Sequence, residues 1–174
     1  TCFAVLRQHR TIRRSVSRPV IQSLVTSLVL SRLDHGNATL VGIPQRLLRR
    51  LQSVMNAAAH LIYSSSTFDH ISPLFRQLHW LKVKERIDFK LAVLVYICIH
   101  RTALLYLTDE LSRPADLQAP RRLRSASSSS LVVRRTRQST VGDQSCPVAA
   151  SRVWNGLPQH VIAAPSLQVF RSRL

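Results

Sequence analysis

A chain of 174 residues with 45% hydrophobic side chains is long and apolar enough to bury a core, as one domain or one domain with a tail. This excludes disorder throughout, and a formal charge of +17, from 25 Lys and Arg against 8 Asp and Glu, calls for an anionic partner. Of the 25 cations 22 are Arg, whose planar fork pairs with phosphate, and they are dispersed along the chain rather than gathered beside one amphipathic helix, which favours RNA or DNA over a membrane surface.

Cys2, Cys98 and Cys146 are odd in number, far apart and without a C-x-x-C pair, so neither a disulfide framework nor a zinc site is expected and a reducing compartment is the simpler reading. The longest apolar run, Leu91 to Ile99, is far short of the roughly 20 residues that span a bilayer and reads as a buried helix segment. The start, from Thr1 to Arg7, has neither the charged opening nor the apolar length of a secretory signal, and the missing initiator Met points to a fragment. The expected location is intracellular, nuclear or cytoplasmic, and not secreted.

The first elements are helical. Residues 2 to 14 form a short basic segment, and Ser17 with Pro19 starts a second helix through Val20, Leu24, Val25, Leu28 and Leu33. From Pro44, the residues Leu47, Leu51, Val54, Met55, Ala58, Leu61 and Ile62 recur at three- and four-residue steps, the clearest amphipathic pattern in the chain. Off that stripe, Arg46, Arg49 and Arg50 stand at i, i+3 and i+4, where like charges repel by a few tenths of a kcal/mol per pair unless an anion intervenes. They are either a solvated face or a phosphate-contacting one.

Ser64 to Thr67 reads as a loop, Asp69 as the cap of a short helix through Leu78, and Val83 to Arg101 as a long helix that is polar at its start and almost uniformly apolar after Leu91. Beyond Leu111 the composition changes. Pro114 and Pro120, the cluster Arg121, Arg122 and Arg124, and Ser127 to Ser130 mark a linker. A short strand is expected at Leu131 to Val133, then a second cluster at Arg134, Arg135 and Arg137, then helical patterns at Val148 to Asn155 and Ser166 to Leu174.

Catalytic constellations are not evident. Two-metal nucleotidyl transfer needs carboxylates converging on cations roughly 3.5 to 4 Å apart, whereas the carboxylates here are scattered, no aromatic-x-Asp-Asp turn occurs, and the adjacent pair Asp109-Glu110 lacks a third ligand. The seven His show no metal-ligand spacing, and Asp34-His35 and Asp69-His70 are sequence neighbours that do not face each other in a helix. With only four Gly there is no glycine-rich phosphate cradle, so phosphate has to be met by side chains. Trp80 and Trp154 sit among apolar neighbours and read as core rather than as base-stacking platforms.

Several stretches, in order and spacing, resemble the region after the catalytic core in reverse transcriptases of non-LTR (LINE-type) retrotransposons, especially the Jockey and CR1-like groups. They are Leu24-Val25 to Ser31-Arg32-Leu33-Asp34 with Asn37, Gly42-Ile43-Pro44, Leu51-Gln52 with Asn56-Ala57-Ala58, and Phe68-Asp69-His70-Ile71 with Pro73. The likeness continues through Leu78-His79-Trp80-Leu81 with Val83 and Arg86-Ile87, and closes with Gly142-Asp143, Val148-Ala149-Ala150 and Trp154-Asn155-Gly156-Leu157-Pro158. Where such relatives commonly carry Asp-Tyr-Cys-Asn, this chain has Asp34-His35-Gly36-Asn37, and Gly36 is expected to weaken a helix by about 1 kcal/mol.

The resemblance implies a thumb and the segment beyond it, which hold template and primer while an upstream palm, using Mg, performs RNA-directed DNA synthesis. In that reading the chain itself has no catalytic residue, metal or cofactor. The expected fold is mainly α: a thumb-like helical bundle over residues 1–111, a basic Ser/Arg-rich linker over 112–140 and a C-terminal helical segment over 141–174. The expected phosphate contacts are Arg46, Arg49, Arg50, Lys82, Lys84 and Arg86 on the bundle, with Arg121, Arg122, Arg124, Arg134, Arg135 and Arg137 in the linker. The expected partners are RNA or an RNA–DNA duplex and an upstream palm domain, and no membrane. The alternatives are a freestanding basic RNA-binding protein derived from a retroelement, or a relic without a role.

Overall fold

The structure, a computed structural model, describes residues 2–100, 111, 130–135 and 145–174. The fold is mainly α, as the periodicity predicts, and no strand occurs among the described residues. Nor is any described helix long and apolar enough to cross a membrane.

The chain divides into two compact units, Thr1–Asn37 with Ile43–Arg86, and Ala38–Gly42 with Ile87–Leu174. The division between the units falls inside a helix and the C-terminal segment belongs to the second unit's core, while most of the expected linker, 112–129 and 136–140, lies outside the described residues. The physical reason is the stretch from Leu91 to Ile99. Being apolar on every face, it needs cover on every face.

The first unit holds α1 (Cys2–Ile12), α2 (Arg18–Val25), α3 (Ser31–Asp34), α4 (Gln45–Tyr63), α5 (Ile71–Leu78) and the opening of α6 (Val83–Ile99). The helix expected from Ser17 to Leu33 forms without a break from Arg18 to Asp34, as α2 and α3 joined by a π-helical turn over Thr26–Leu30. Ser27 and Ser31 explain the widening. Their hydroxyls donate back to the carbonyls of Leu24 and Ser27, a competition with the backbone ladder that loosens helices.

Gly36 does not weaken a helix, because α3 has ended at Asp34; it turns the chain at φ 70°, a left-handed conformation that costs glycine little. Asp69 does not cap α5. Its carboxylate accepts the N–H of Ser66 at 2.8 Å, closing the preceding turn, and His70 is the residue before the helix.

α4 buries Val54, Met55, Ala58, Leu61 and Ile62 of the stripe that its spacing predicts, and Ala59 beside them, while Leu51 is half-buried and Leu47, in the first turn, is exposed. Each large aliphatic side chain buried in this way contributes about 1.5 to 3 kcal/mol. α4 and α5 both end on non-glycine residues in the left-handed region, Ser64 at φ 61° and His79 at φ 53°. In each the next N–H returns to the last turn, Ser65 to the His60 carbonyl at 3.2 Å and Trp80 to the Phe75 carbonyl at 2.9 Å.

The second unit assembles α7 (Cys146–Asn155), α8 (Gln159–Ile162) and α9 (Leu167–Arg173) around the apolar part of α6. Phe170 stacks on both Tyr96, at 4.5 Å between ring centroids, and Trp154, at 5.9 Å, and the Tyr96 hydroxyl donates to the Ala164 carbonyl at 3.0 Å. Trp154 is core, as expected, whereas Trp80 is half-buried with its edge to Phe75. Leu131 to Val133, expected as a strand, has no regular secondary structure and pairs with no strand among the described residues. Its ladder partner is one side chain: Asn155 accepts the Leu131 N–H at 2.8 Å and donates to the Leu131 carbonyl at 2.9 Å.

Candidate nucleic-acid interface

Arg46, Arg49 and Arg50 all lie exposed in the first two turns of α4. The first turn has no acidic residue and no side-chain cap, so the positive end of the helix dipole adds to the charge of three exposed arginines near it. None of the three has a carboxylate partner among the described residues. Like charges at this spacing cost a few tenths of a kcal/mol per pair, and an anion beside the turn would remove that cost and meet the helix's free N–H groups.

One turn further along α4, about 5 Å of rise, Gln52 ties this face to the start of α6. Its Oε1 accepts the N–H of Val83 at 2.9 Å, while its Nε2 donates to Asn56 Oδ1 at 2.9 Å. Glu85 reaches back to accept the Lys82 N–H at 3.0 Å, half of a capping box. The segment Lys82-Val83-Lys84 is thereby held beside α4, with Lys82 and Lys84 exposed on either side of the tether. The spacing of α4 does not reveal this. A glutamine bonding a backbone 31 residues away is visible only in the folded chain.

Arg86 plays a different part from its neighbours. Its Nε and Nη2 donate to the two oxygens of Asp34, at 2.5 and 2.6 Å, and the Asn37 amide adds a bond to Asp34 Oδ1 at 3.1 Å. With its fork engaged on a carboxylate, Arg86 locks α3 to the start of α6 rather than presenting a bare charge. The nearest sequence signal was the pairing of Asp34 with Asn37 in the family resemblance, which does not name Arg86 as the partner.

The linker clusters are placed only in part. Arg121, Arg122, Arg124 and Arg137 lie outside the described residues, as do Asp109 and Glu110. Arg134 and Arg135 are exposed in the second unit, where they border a cavity of about 550 Å³ shared with Cys98 and Cys146. Burial raises both thiols above the ordinary range, and the charge of Cys146 adds to the effect on Cys98. Both therefore stay protonated at neutral pH. Arg46, Arg49, Arg50, Lys82, Lys84 and Arg86 all belong to the first unit, and Arg134 and Arg135 to the second.

Among the described residues no three His, Cys, Asp or Glu side chains converge as metal ligands. The first unit carries thirteen Lys and Arg against three carboxylates, so most of the chain's excess charge resides there. Compared with protein-family models, with curated proteins and with solved structures, the chain matches none.

Proposed function

We propose that this chain is the thumb-like, nucleic-acid-holding part of a non-LTR (LINE-type) retrotransposon reverse transcriptase. It grips RNA or an RNA–DNA duplex through Arg–phosphate contacts, and the Mg-dependent chemistry belongs to an upstream palm. The observation that carries the reading is the start of α4: Arg46, Arg49 and Arg50, exposed and without a carboxylate partner among the described residues, stand on an uncapped helix terminus that is tethered through Gln52 to the Val83 N–H between Lys82 and Lys84. Such contacts position a backbone without reading sequence. The order of the family-like stretches supplies the parent, and Arg86 with Asp34 holds the frame on which the cations stand.

The test is a binding isotherm of the chain on an RNA–DNA duplex across a salt series. Low-micromolar or weaker binding is expected, with log K falling steeply against log salt, by about 0.9 for each phosphate neutralised on duplex DNA. A shallow slope overturns the reading.

A second reading, a freestanding basic RNA-binding protein of retroelement origin, is favoured by one observation: each unit has its own buried core. It requires the isolated chain to unfold cooperatively. An isolated chain that is molten and exposes the Leu91 to Ile99 face rejects it in favour of a part that folds on its palm.

A further inference from the structure

The first unit contains a second cationic cluster, separate from the start of α4. Arg7 and Arg10 on α1 and Arg13 just beyond it follow one another at three-residue steps, and all three line one cavity of about 380 Å³. The opposite wall comes from the end of α4 and the turn after it, with His60, Ser65 and Thr67. Phe3, Leu6 and Leu61 complete the lining, and Phe3 is 43% exposed. No carboxylate lines the cavity, and none of the three guanidiniums has a partner among the described residues. Asp69, the nearest acidic residue along the chain, is engaged by the Ser66 N–H.

We propose that this cavity is a binding site for a nucleoside phosphomonoester, either the terminal phosphate of a nucleic acid or a free nucleotide. Charge argues for the monoester. An internal phosphodiester carries one negative charge, whereas a monoester carries about 1.5 to 2 at neutral pH. Three guanidiniums, less about half a charge for the carbonyl end of α1, leave about 2.5 positive charges, closer to the monoester's charge than to the diester's.

Shape argues the same way. The turn through Ser64, at φ 61°, brings Ser65 back against His60, whose Nδ1 lies 2.8 Å from Ser65 Oγ. This wall suits a group arriving end-on. With Nδ1 donating to Ser65 Oγ, the hydroxyl proton is left to donate to a phosphate oxygen. Phe3 offers a face on which a base can stack, and the volume sits toward the low end of small-ligand pockets, which begin at roughly 300 Å³. The site extends the nucleic-acid reading but does not depend on the α4 face.

The experiment uses the full chain and two single-stranded RNAs, identical except for a 5′-phosphate or a 5′-hydroxyl, with adenosine monophosphate and adenosine as small probes. The 5′-phosphorylated RNA is expected to bind about tenfold tighter at equal salt. In Arg7→Gln/Arg10→Gln, changed at two exposed positions, that ratio should fall to one. In Arg46→Gln/Arg49→Gln/Arg50→Gln it should persist while both RNAs weaken alike. Equal RNA affinities with saturable binding of the monophosphate but not of adenosine would support the same site with a free nucleotide as occupant. Equal affinities with no binding of the monophosphate overturn it. Loss of all RNA binding with retained monophosphate binding would instead reject the α4 interface and leave this site standing.

Discussion

Arg86 grips both oxygens of Asp34, at 2.5 and 2.6 Å, across 52 residues of sequence. The pair is about three-quarters buried, so its value lies between that of a surface ion pair and that of a buried one. Asp34→Ala or Arg86→Ala should each lower stability by about 1 to 2 kcal/mol, and the double variant should cost less than the sum, as read by urea unfolding in a double-mutant cycle. Additive losses would mean that the two side chains do not cooperate. Arg86→Ala should also leave the salt slope of binding intact, in contrast to the α4 arginines.

Arg46→Gln/Arg49→Gln/Arg50→Gln should weaken binding uniformly across sequences and reduce the salt slope by up to about 2.7 on duplex DNA, three contacts at about 0.9 each. All three side chains are exposed, so the thermal midpoint should hardly move or should rise slightly as repulsion is relieved. An unchanged slope would place the phosphate face elsewhere.

Gln52→Leu should separate the tether from the charges. It removes the acceptor of the Val83 N–H and the donor to Asn56, at a cost of about 1 to 3 kcal/mol for the group left unsatisfied. Hydrogen exchange at the Val83 amide should accelerate, and binding should weaken with little change in slope, since no cation is lost.

Asn155→Leu should free the segment around Leu131, whose N–H and carbonyl both bond to that one amide. The expected cost is about 2 kcal/mol in the second unit, with loss of protection at the Leu131 amide as the direct readout. Asn155→Asp is the sharper control. A carboxylate can accept the N–H but cannot donate to the carbonyl.

Cys98 gives the second unit a dependence on alkaline pH. Burial raises its folded value above the ordinary one, with Cys146 adding to the effect, so the thiol stays neutral in the fold where the unfolded chain ionises. Its contribution to stability is therefore complete below the unfolded value, about 8.5, and is lost as pH rises toward and through the folded one. Cys98→Val should flatten that part of the stability profile, measured by unfolding between neutral and alkaline pH.

The helical class, the stripe of α4, the buried core of α6 and the burial of Trp154 were legible in the chain because each follows from local periodicity or from apolar length. Arg46, Arg49 and Arg50 were equally legible, since residues three and four apart on a helix share a face whatever the rest of the fold does. Tertiary structure alone decided which polar groups found each other: Arg86 with Asp34, Gln52 with Val83, Asn155 with Leu131 and the alignment of Arg7, Arg10 and Arg13 opposite His60. It also decided that Asp69 closes a turn instead of capping α5 and that Leu131 to Val133 is held by an amide instead of a strand. Hydrophobic spacing specifies a face, which is a property of neighbours in sequence. A hydrogen bond needs two groups within about 3 Å, and for residues tens of positions apart only the packed chain sets that distance.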